Sequence, residues 1–547
     1  MNERRSPGLK VWTPLLFSVI MVFGMVLGFN LRDSLRSKRS IQAIIERNDR
    51  LEQLIDLINE RYVDSVNTNV LYEDAIDGIL KHLDPHTVYI SADELQAVNE
   101  DLEGSFSGIG VEFSIVRDTI QVTSVVEDGP AEAAGVEIGD QLIKVQDIVV
   151  AGAGITSDSI VHMLRGKEHS QVAVTLRSSM TGNEKQTVIE RGSIPLYSVE
   201  ASILLDQQTA YIKINRFSAT TYEEFAKALR SLKAQGAKSL ILDVRQNPGG
   251  YLEAATMIAD EFLDDEKLIV YTQGRKSART EYKASKPGMF ETGALVILVD
   301  EGSASASEIL AGAVQDWDRG AIIGRRTYGK GLVQEQYEME DGAALRLTIA
   351  KYYTPSGRSI QRSYVNGKEA YAHDVADRFG SGELTGADTL AIADTFKYYT
   401  SQSRTVYGGG GIMPDIHVPY DTAKLNRELL NVLFSGTFRN MLWDYFVKNN
   451  ADLRQYKTVA EFSRTFSTDD LFSYVFRNTP KEQKARFNQV LSNPESRAYL
   501  ETQLKAQLAR FLFRNNGYYL IQTSGDPVVQ KALSTLRSGK YSTLIKR

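Results

Sequence analysis

The sequence predicts an α/β core joined to units of other composition. Two apolar runs, residues 239–244 and 294–299, have the length of buried strands, and segments with helical spacing follow them at 251–263 and 308–314. Strands that alternate with helices are typical of a sheet covered by helices. Because 547 residues are too many for a single core, we expect about three or four structural units.

The composition excludes several kinds of site. The chain has no cysteine, so it has neither disulfides nor thiolate metal sites. Its 6 histidines are scattered without metal-ligand spacing, and we expect no metal and no cofactor. The net charge is −6 and neither a basic face nor a base-stacking motif is present, which argues against a nucleic-acid partner.

The N-terminal residues 1–40 carry a membrane signal. Residues 11–29 contain no charged side chain and are long enough to span a bilayer once. No small-x-small cleavage site follows, which favours an uncleaved signal anchor with a short cytoplasmic tail over a removed signal peptide. Basic residues flank the span on both sides, so charge does not determine its orientation.

Ser305 and Lys330 are the strongest functional candidates. Ser305 lies between a predicted strand and a predicted helix, where the unpaired backbone N–H of Ala306 can donate to an oxyanion. If the fold brings Lys330 to Ser305, the lysine can act as the base that activates the serine. A structural interpretation stays open, because Ser305 and Glu308 also have the spacing of a helix capping box.

Lys330 has a second alternative, because residues 324–330 fit the phosphate-binding pattern G-x-x-x-x-G-K. Gly331 stands where that pattern needs Ser or Thr for magnesium. Residues 332–337 alternate like a strand, whereas a phosphate loop opens a helix. Nucleotide binding is therefore the weaker hypothesis.

An ordered series of motifs extends far beyond these two residues. The series comprises LDPHT at 83–87, FSGIGV at 106–111, LDVRQNPGG at 242–250, the segment 299–334 around the serine and lysine, YTPSGR at 353–358 and GIMPD at 411–415. It resembles the carboxy-terminal processing proteases, also called tail-specific serine proteases, over about residues 40–420. The resemblance implies a crotonase-like α/β spiral protease core at 192–420 and an inserted, mostly-β PDZ domain at 104–191.

The resemblance also implies the roles of individual residues. Ser305 corresponds to the nucleophile, Lys330 to the general base and Gln334 to the residue that orients the lysine. In a strand, the even separation of Lys330 and Gln334 puts both side chains on one face. Burial would favour the neutral amine that a base requires. The oxyanion donors would be the N–H groups of Gly250, with Gly249 as the next choice, and Ala306.

The PDZ-like segment implies recognition of free C-termini. A PDZ domain adds a peptide as an extra strand and holds its terminal carboxylate with backbone amides, here those of Gly108, Ile109 and Gly110. Residues 146–147 read Gln-Asp where relatives often have Asp-Gly, which suggests a different hairpin turn.

The remaining segments are predicted to be mostly helical. Apolar residues recur with helical spacing in 41–103, which either pairs subunits, as in relatives, or packs on its own core. Residues 421–547 form a helical extension that packs on the core, binds an adaptor or promotes oligomerisation. Residues 365–405 are polar and are expected to form a lid or a substrate loop.

Together these observations predict a membrane-tethered serine endopeptidase. The resemblance implies a single-pass protein of a bacterial inner membrane with its catalytic part in the periplasm, because the family usually works there. It would bind exported proteins with free, apolar C-termini and cut them near that end through an acyl-enzyme. The alternative is a catalytically silent PDZ scaffold that binds protein C-termini.

Overall fold

The computed structural model describes residues 49–264, 266–386, 396–421 and 426–545. Residues 49–83 belong to a unit of their own and contain two helices, α1 (Asp49–Arg61) and α2 (Thr68–Leu80). The side chain of Asn67 caps α2 by accepting a hydrogen bond from the N–H of Asn69 at 3.1 Å. The helical prediction is therefore confirmed for the described part of this region.

The predicted signal anchor at residues 11–29 lies outside the described residues. Within residues 49–264, 266–386, 396–421 and 426–545, no helix is both long and apolar enough to cross a bilayer.

The chain from Asp84 onward forms the second unit, which begins with β1 (Val88–Ile90) and α3 (Ala92–Glu103) and continues into the segment that resembles a PDZ domain. The elements of that segment are β2 (Ser105–Gly108), β3 (Val111–Val116), β4 (Thr119–Val125), α4 (Pro130–Ala133), β5 (Asp140–Val145), β6 (Ile148–Val149), α5 (Ser157–Leu164), β7 (Gln171–Ser178) and β8 (Glu184–Glu190), and β9 (Gly192–Pro195) follows them. The main sheet has the order β3-β4-β5-β7-β8, which leaves β3 at an edge. β2 and β9 pair with each other at the two ends of the segment.

The core follows with alternating strands and helices. Its elements are β10 (Val199–Leu204), β11 (Thr209–Ile214), α6 (Thr221–Ala234), β12 (Ser239–Asp243), α7 (Leu252–Asp260), β13 (Leu268–Gln273), β14 (Thr280–Lys283), β15 (Ala294–Val299), α8 (Ala306–Asp316), β16 (Ala321–Gly324), β17 (Leu332–Glu338), β18 (Ala344–Tyr353), α9 (Lys368–Gly380), β19 (Lys397–Tyr399), β20 (Thr405–Tyr407) and β21 (Ile416–His417). A mostly parallel sheet runs in the order β10-β11-β12-β15-β16-β21, and a second sheet runs β1-β18-β13-β14 with β17 paired to β18.

The parallel sheet is buried on both faces, which explains why its strands are continuous apolar runs. In β15, Leu295 and Ile297 face the main core with α7 and α8, whereas Val296 and Leu298 face the opposite side. This alternation follows from the two-residue period of a strand. The helix predicted at 251–263 is shorter in the structure, ending at Asp260.

Helices make up most of the described residues 426–545, as predicted. They are α10 (Arg427–Leu433), α11 (Gly436–Lys448), α12 (Asn450–Leu453), α13 (Val459–Thr465), α14 (Asp469–Asn478), α15 (Lys481–Ser492), α16 (Pro494–Gly525), α17 (Pro527–Arg537) and α18 (Lys540–Ile545). α17 packs on the parallel sheet, because Val529 and Ala532 share an apolar cluster with Val296 and Leu298. The fold prediction of an α/β core, a mostly-β insertion and helical flanking regions is confirmed.

Candidate active site

Ser305 lies at the turn between β15 and α8, where the sequence placed it. Its φ angle of 53° is in the left-handed region that residues other than glycine rarely adopt. Such strained conformations cluster at functional sites. The Ser305 side chain is part of the lining of a cavity of about 1030 Å³, which Lys330, Gln334 and Gly250 also line.

Glu308 and Tyr352 hold the backbone of Ser305 next to that of Lys330. One carboxylate oxygen of Glu308, Oε2, accepts hydrogen bonds from the N–H groups of both Ser305 and Lys330, each at 2.9 Å. The Tyr352 hydroxyl lies within hydrogen-bond distance of the carbonyl oxygens of the same two residues, at 3.1 Å from that of Ser305. The serine and the lysine are therefore brought together by contacts at both their N–H and C=O groups.

Glu308 is fully buried and all four of its hydrogen-bond partners are donors. Its other oxygen, Oε1, accepts hydrogen bonds from the Thr327 hydroxyl and from the N–H of Gly329 at 2.8 Å. Burial raises the pKa of Glu308 to about 7, against the opposing effect of these hydrogen bonds. Glu308 thus makes its half of the predicted capping box, and it also connects α8 to the lysine loop.

The Lys330 amine donates a hydrogen bond to Oε1 of Gln334 at 2.9 Å. Burial lowers the pKa of Lys330, and the positive charge of Arg346 lowers it further. The hydrogen bond that the sequence analysis expected between these two side chains is present. Lys330 precedes β17, and the pairing of β17 with β18 shifts register between Val333 and Gln334. The shift skips Ile349 of β18, so β17 itself contains no extra residue. Lys330 and Gln334 therefore lie on the same side of the chain, as their even separation predicts, and both line the cavity.

The LDPHT motif supports Gln334, a contact that the sequence analysis did not find. The Gln334 amide Nε2 donates to the carbonyl oxygen of His86. Asp84 fixes this turn by accepting hydrogen bonds from the N–H groups of His86 at 2.9 Å and Thr87 at 3.1 Å. Burial and the charge of Lys330 lower the pKa of His86 to about 4. The only sign of this contact in the sequence was the Asp-Pro pair of the LDPHT motif, which indicates a turn but not its partner.

The two predicted oxyanion donors lie beside Ser305. The N–H of Gly249 is already used, because it donates to Oδ1 of Asn247 at 2.9 Å. Among the residues that the structure describes, the N–H groups of Gly250 and Ala306 have no protein acceptor. Ala306 is the first residue of α8, where N–H groups lack intrahelical partners.

Both glycines of the Pro-Gly-Gly turn are required by the packing. Gly249 and Gly250 have φ angles of +104° and +138°, and a Cβ on Gly250 would lie 2.0 Å from the carbonyl oxygen of Phe217. A Cβ on Gly249 would lie 2.8 Å from that of Ser305. The backbone of this turn therefore packs directly against Ser305.

Asp316, the other carboxylate of α8, belongs to a different network. Its side chain accepts hydrogen bonds from the Thr354 hydroxyl, from the N–H of Ser356 at 3.0 Å and from Arg358 at 2.7 Å. These contacts fix the YTPSGR turn and give Asp316 a structural role.

The phosphate-loop alternative lacks its structural context. Lys330 is followed by strand β17 instead of a helix, and its amine is directed at Gln334. A phosphate loop needs its lysine at a helix N-terminus. In the described ranges, no group of three or more histidine or carboxylate side chains is arranged to hold a metal ion.

The predicted carboxylate-binding residues Gly108, Ile109 and Gly110 connect β2 to the edge strand β3. Within the described part of the chain, the N–H groups of Ile109 and Gly110 have no protein acceptor. Arg165, at the C-terminal end of α5, was not singled out in the sequence. Its guanidinium lies 4.3 Å from the centre of the Phe106 ring and pairs with Glu100 at 2.7 Å. Its Cγ lies 3.9 Å from the Cβ position of Gly108.

Comparison with known proteins shows which protein families the chain matches. The model of peptidase family S41 matches residues 208–368, a PDZ domain model matches 121–178, and the model of the activating protease CtpB N-terminal domain matches 29–94. Residues 429–514 match a family of unknown function.

Curated relatives and solved structures extend the match. A probable CtpA-like serine protease of Staphylococcus haemolyticus is 34% identical over 357 residues, which are 64% of this chain and 70% of that protein. The carboxy-terminal processing protease CtpB of Bacillus subtilis is 33% identical over 357 residues, 64% of this chain and 73% of that one. A structure of the photosystem II D1 C-terminal processing protease is 29% identical, covers 57% of this chain and 89% of its own, and has a TM-score of 0.32.

These matches define a serine-type peptidase with a PDZ domain. The chain belongs to peptidase family S41, among the carboxy-terminal processing proteases.

Proposed function

We propose that this peptidase uses a Ser305-Lys330 dyad. The neutral Lys330 amine takes the proton of the Ser305 hydroxyl as Oγ attacks the scissile carbonyl. The resulting oxyanion binds the N–H groups of Gly250 and Ala306. The lysine then gives its proton to the leaving amine, and water hydrolyses the acyl-enzyme in a second cycle of the same steps.

One observation carries this proposal: a single Glu308 oxygen binds the N–H groups of Ser305 and Lys330, and the lysine amine is directed at Gln334. The depressed pKa of Lys330 supports its role, because a base needs the neutral amine near neutral pH. Gln334 accepts a hydrogen bond from that amine and so fixes its direction.

We further propose that the PDZ domain selects substrates by their free C-terminus. The open edge of β3 accepts the peptide as a strand, and the free amides of Ile109 and Gly110 are suited to its carboxylate. Arg165, whose Cγ lies next to Gly108 and whose guanidinium lies over Phe106 in a pair with Glu100, adds a positive charge near the same loop. The cavity near Ser305 includes Met257, Ile309 and Leu332, which suits apolar side chains of the substrate.

The membrane tether and the periplasmic location are part of this proposal on the basis of sequence alone. They rest on the uncharged residues 11–29 and on the family's usual work outside the cytoplasm.

The test is cleavage of an unstructured protein with an apolar C-terminus, free or amidated, by the wild type and by Ser305→Ala. We expect the wild type to cut the free form faster than the amidated form and Ser305→Ala to cut neither. Equal cutting of the two forms would contradict C-terminal recognition. A wild type that binds the free C-terminus tightly and never cuts it would support the silent scaffold.

A further inference from the structure

The C-terminal helices contact two different parts of the protein. α16 runs through both contacts and is interrupted at Phe513 and Arg514, whose backbone angles are not helical. Arg510, before the kink, contacts the PDZ domain, whereas Asn516 and Tyr519, after it, contact the protease core. The family of unknown function matches residues 429–514 and so ends at the kink.

The contact with the PDZ domain combines an apolar part and charged pairs. Val116, at the end of β3, is 4% exposed and buried in the apolar cluster of the helical extension. Glu112 pairs with Arg510 at 2.9 Å, and Arg117 pairs with Asp444. Opposite charges therefore face each other at both ends of β3.

This contact lies on the back of the PDZ sheet. Val111, Phe113 and Ile115 of β3 pack on the domain's own core, whereas Glu112 and Val116 point to the other face and meet the extension. The predicted peptide groove uses the edge of β3 and therefore stays open while the back of the sheet is held.

The contact with the protease core is made by residues beyond the kink. The Asn516 side chain accepts a hydrogen bond from the N–H of Ser202 at 2.9 Å, and Tyr519 donates to Glu200. Asp526 pairs with Arg245 at 2.9 Å, directly beside the turn that carries Gly250. α17 then packs on the parallel sheet.

The kink itself is built into the sequence. Arg514 has a φ of 58°, and Gly517 is close to the kink, since a Cβ there would lie 2.7 Å from that of Phe513. Pairing of Arg514 with Glu127 at 3.4 Å adds a third charged contact to the PDZ domain. The bend thus directs one long helix to both partners.

We propose that residues 429–514 hold the PDZ domain at a second point by binding the back of β3. This attachment sets the position of the peptide-binding edge of β3 relative to Ser305. The described chain also holds the domain through the covalent connection at the paired strands β2 and β9 and through the pair of Arg165 with Glu100 of α3. The proposal rests on the proposed function for its consequence in cleavage, whereas the attachment is testable without activity.

The absence of cysteine allows a direct test with two spin labels. Cysteines replace Val149, exposed on the PDZ domain, and Lys227, exposed on α6 of the core. One variant reverses the PDZ side (Glu112→Arg with Arg117→Glu), a second reverses the extension side (Asp444→Arg with Arg510→Glu), and the third combines all four changes. Pulsed electron paramagnetic resonance of the full-length protein gives the distance distribution between the labels.

We expect a narrow distribution in the parent, broad distributions in both double variants and a narrow one in the combined variant. Two exposed pairs turned from attraction to repulsion shift a docking equilibrium by about tenfold, which the distribution resolves. Cleavage of the free C-terminal substrate should slow in the double variants and recover in the combination. Fluorophosphonate labelling of Ser305 should stay constant throughout.

Double variants that keep the narrow distribution would overturn the attachment. If the distance distribution broadens in the double variants while cleavage of the free C-terminal substrate stays unchanged, the positioning role of the attachment is overturned. If the parent cuts free and amidated substrates equally, the proposed recognition of C-termini is wrong. The distances between the spin labels still test the attachment, because they do not depend on cleavage.

Discussion

Replacing Gly250 with alanine tests the proposed oxyanion hole most sharply among the backbone positions. The φ angle of Gly250 is +138°, and the new Cβ would lie 2.0 Å from the carbonyl oxygen of the fully buried Phe217. Neither atom has room to yield, so the backbone of the turn must move away from Phe217. The N–H of Gly250 then leaves the position from which it would bind the oxyanion.

The magnitude follows from two separate costs. A residue other than glycine in this conformation costs about 1–3 kcal/mol of folding stability. Loss of one oxyanion donor lowers kcat by about 10²–10³-fold. We therefore expect Gly250→Ala to melt at a lower temperature and to lose kcat by that factor. KM should change little, because the PDZ domain binds the substrate elsewhere.

Gly236→Ala is the matched control. Gly236 also has a positive φ, +103°, but the nearest atom to its Cβ is the Gln207 carbonyl oxygen at 3.8 Å. It should share the cost in stability and keep kcat. Steady-state kinetics at a temperature where both variants are folded separates the two effects. A Gly250→Ala enzyme with near-normal kcat would refute the assignment of this N–H.

Three further predictions concern ionisable groups. Cleavage should rise with pH as Lys330 loses its proton, with a midpoint below the ordinary lysine pKa of 10.5. Lys330→Arg should be inactive at every pH because its guanidinium stays charged, and an active arginine variant would contradict the role of Lys330 as the base. Glu308→Gln should slow fluorophosphonate labelling by about 10²-fold, because its amide presents N–H groups to donors and displaces Ser305 from Lys330. Glu308 must be ionised to hold Ser305 and Lys330, and its pKa is about 7, so the labelling rate should fall more steeply towards acid pH in the wild type than in Glu308→Gln. The control Glu301→Gln, which removes a buried carboxylate paired with Arg325, should keep the wild-type dependence on pH. Arg165→Gln should raise KM for a free C-terminus and leave the amidated substrate unaffected; equal effects on both would assign Arg165 a structural role.

Local patterns in the sequence predicted much of the core. The run at 294–299 is β15, because continuous apolar runs are typical of strands buried on both faces. The helix predicted after Ser305 is α8. The family motifs also placed Ser305, Lys330 and Gln334 around one cavity. What these residues do there stays a proposal.

Long-range contacts could not be predicted from such patterns. The carbonyl oxygen that supports Gln334 comes from His86, 248 residues away in the chain. Glu308 was interpreted as a helix cap, because the sequence shows its neighbour Ser305 but not the loop that carries Lys330. No proline marks the kink in α16, so the sequence pattern predicts helix without a bend and does not show that the two halves contact different parts of the protein.

The most direct test of the account is to identify the residue that a fluorophosphonate labels. The full-length protein, Ser305→Ala and Lys330→Met are treated at mildly alkaline pH and digested, and the adduct is located by mass spectrometry. The account predicts a single adduct on Ser305 in the wild type, none in Ser305→Ala and strongly slowed labelling in Lys330→Met. Substrate cleavage by the wild type with no adduct on Ser305, or labelling that is as fast in Lys330→Met as in the wild type, would contradict it.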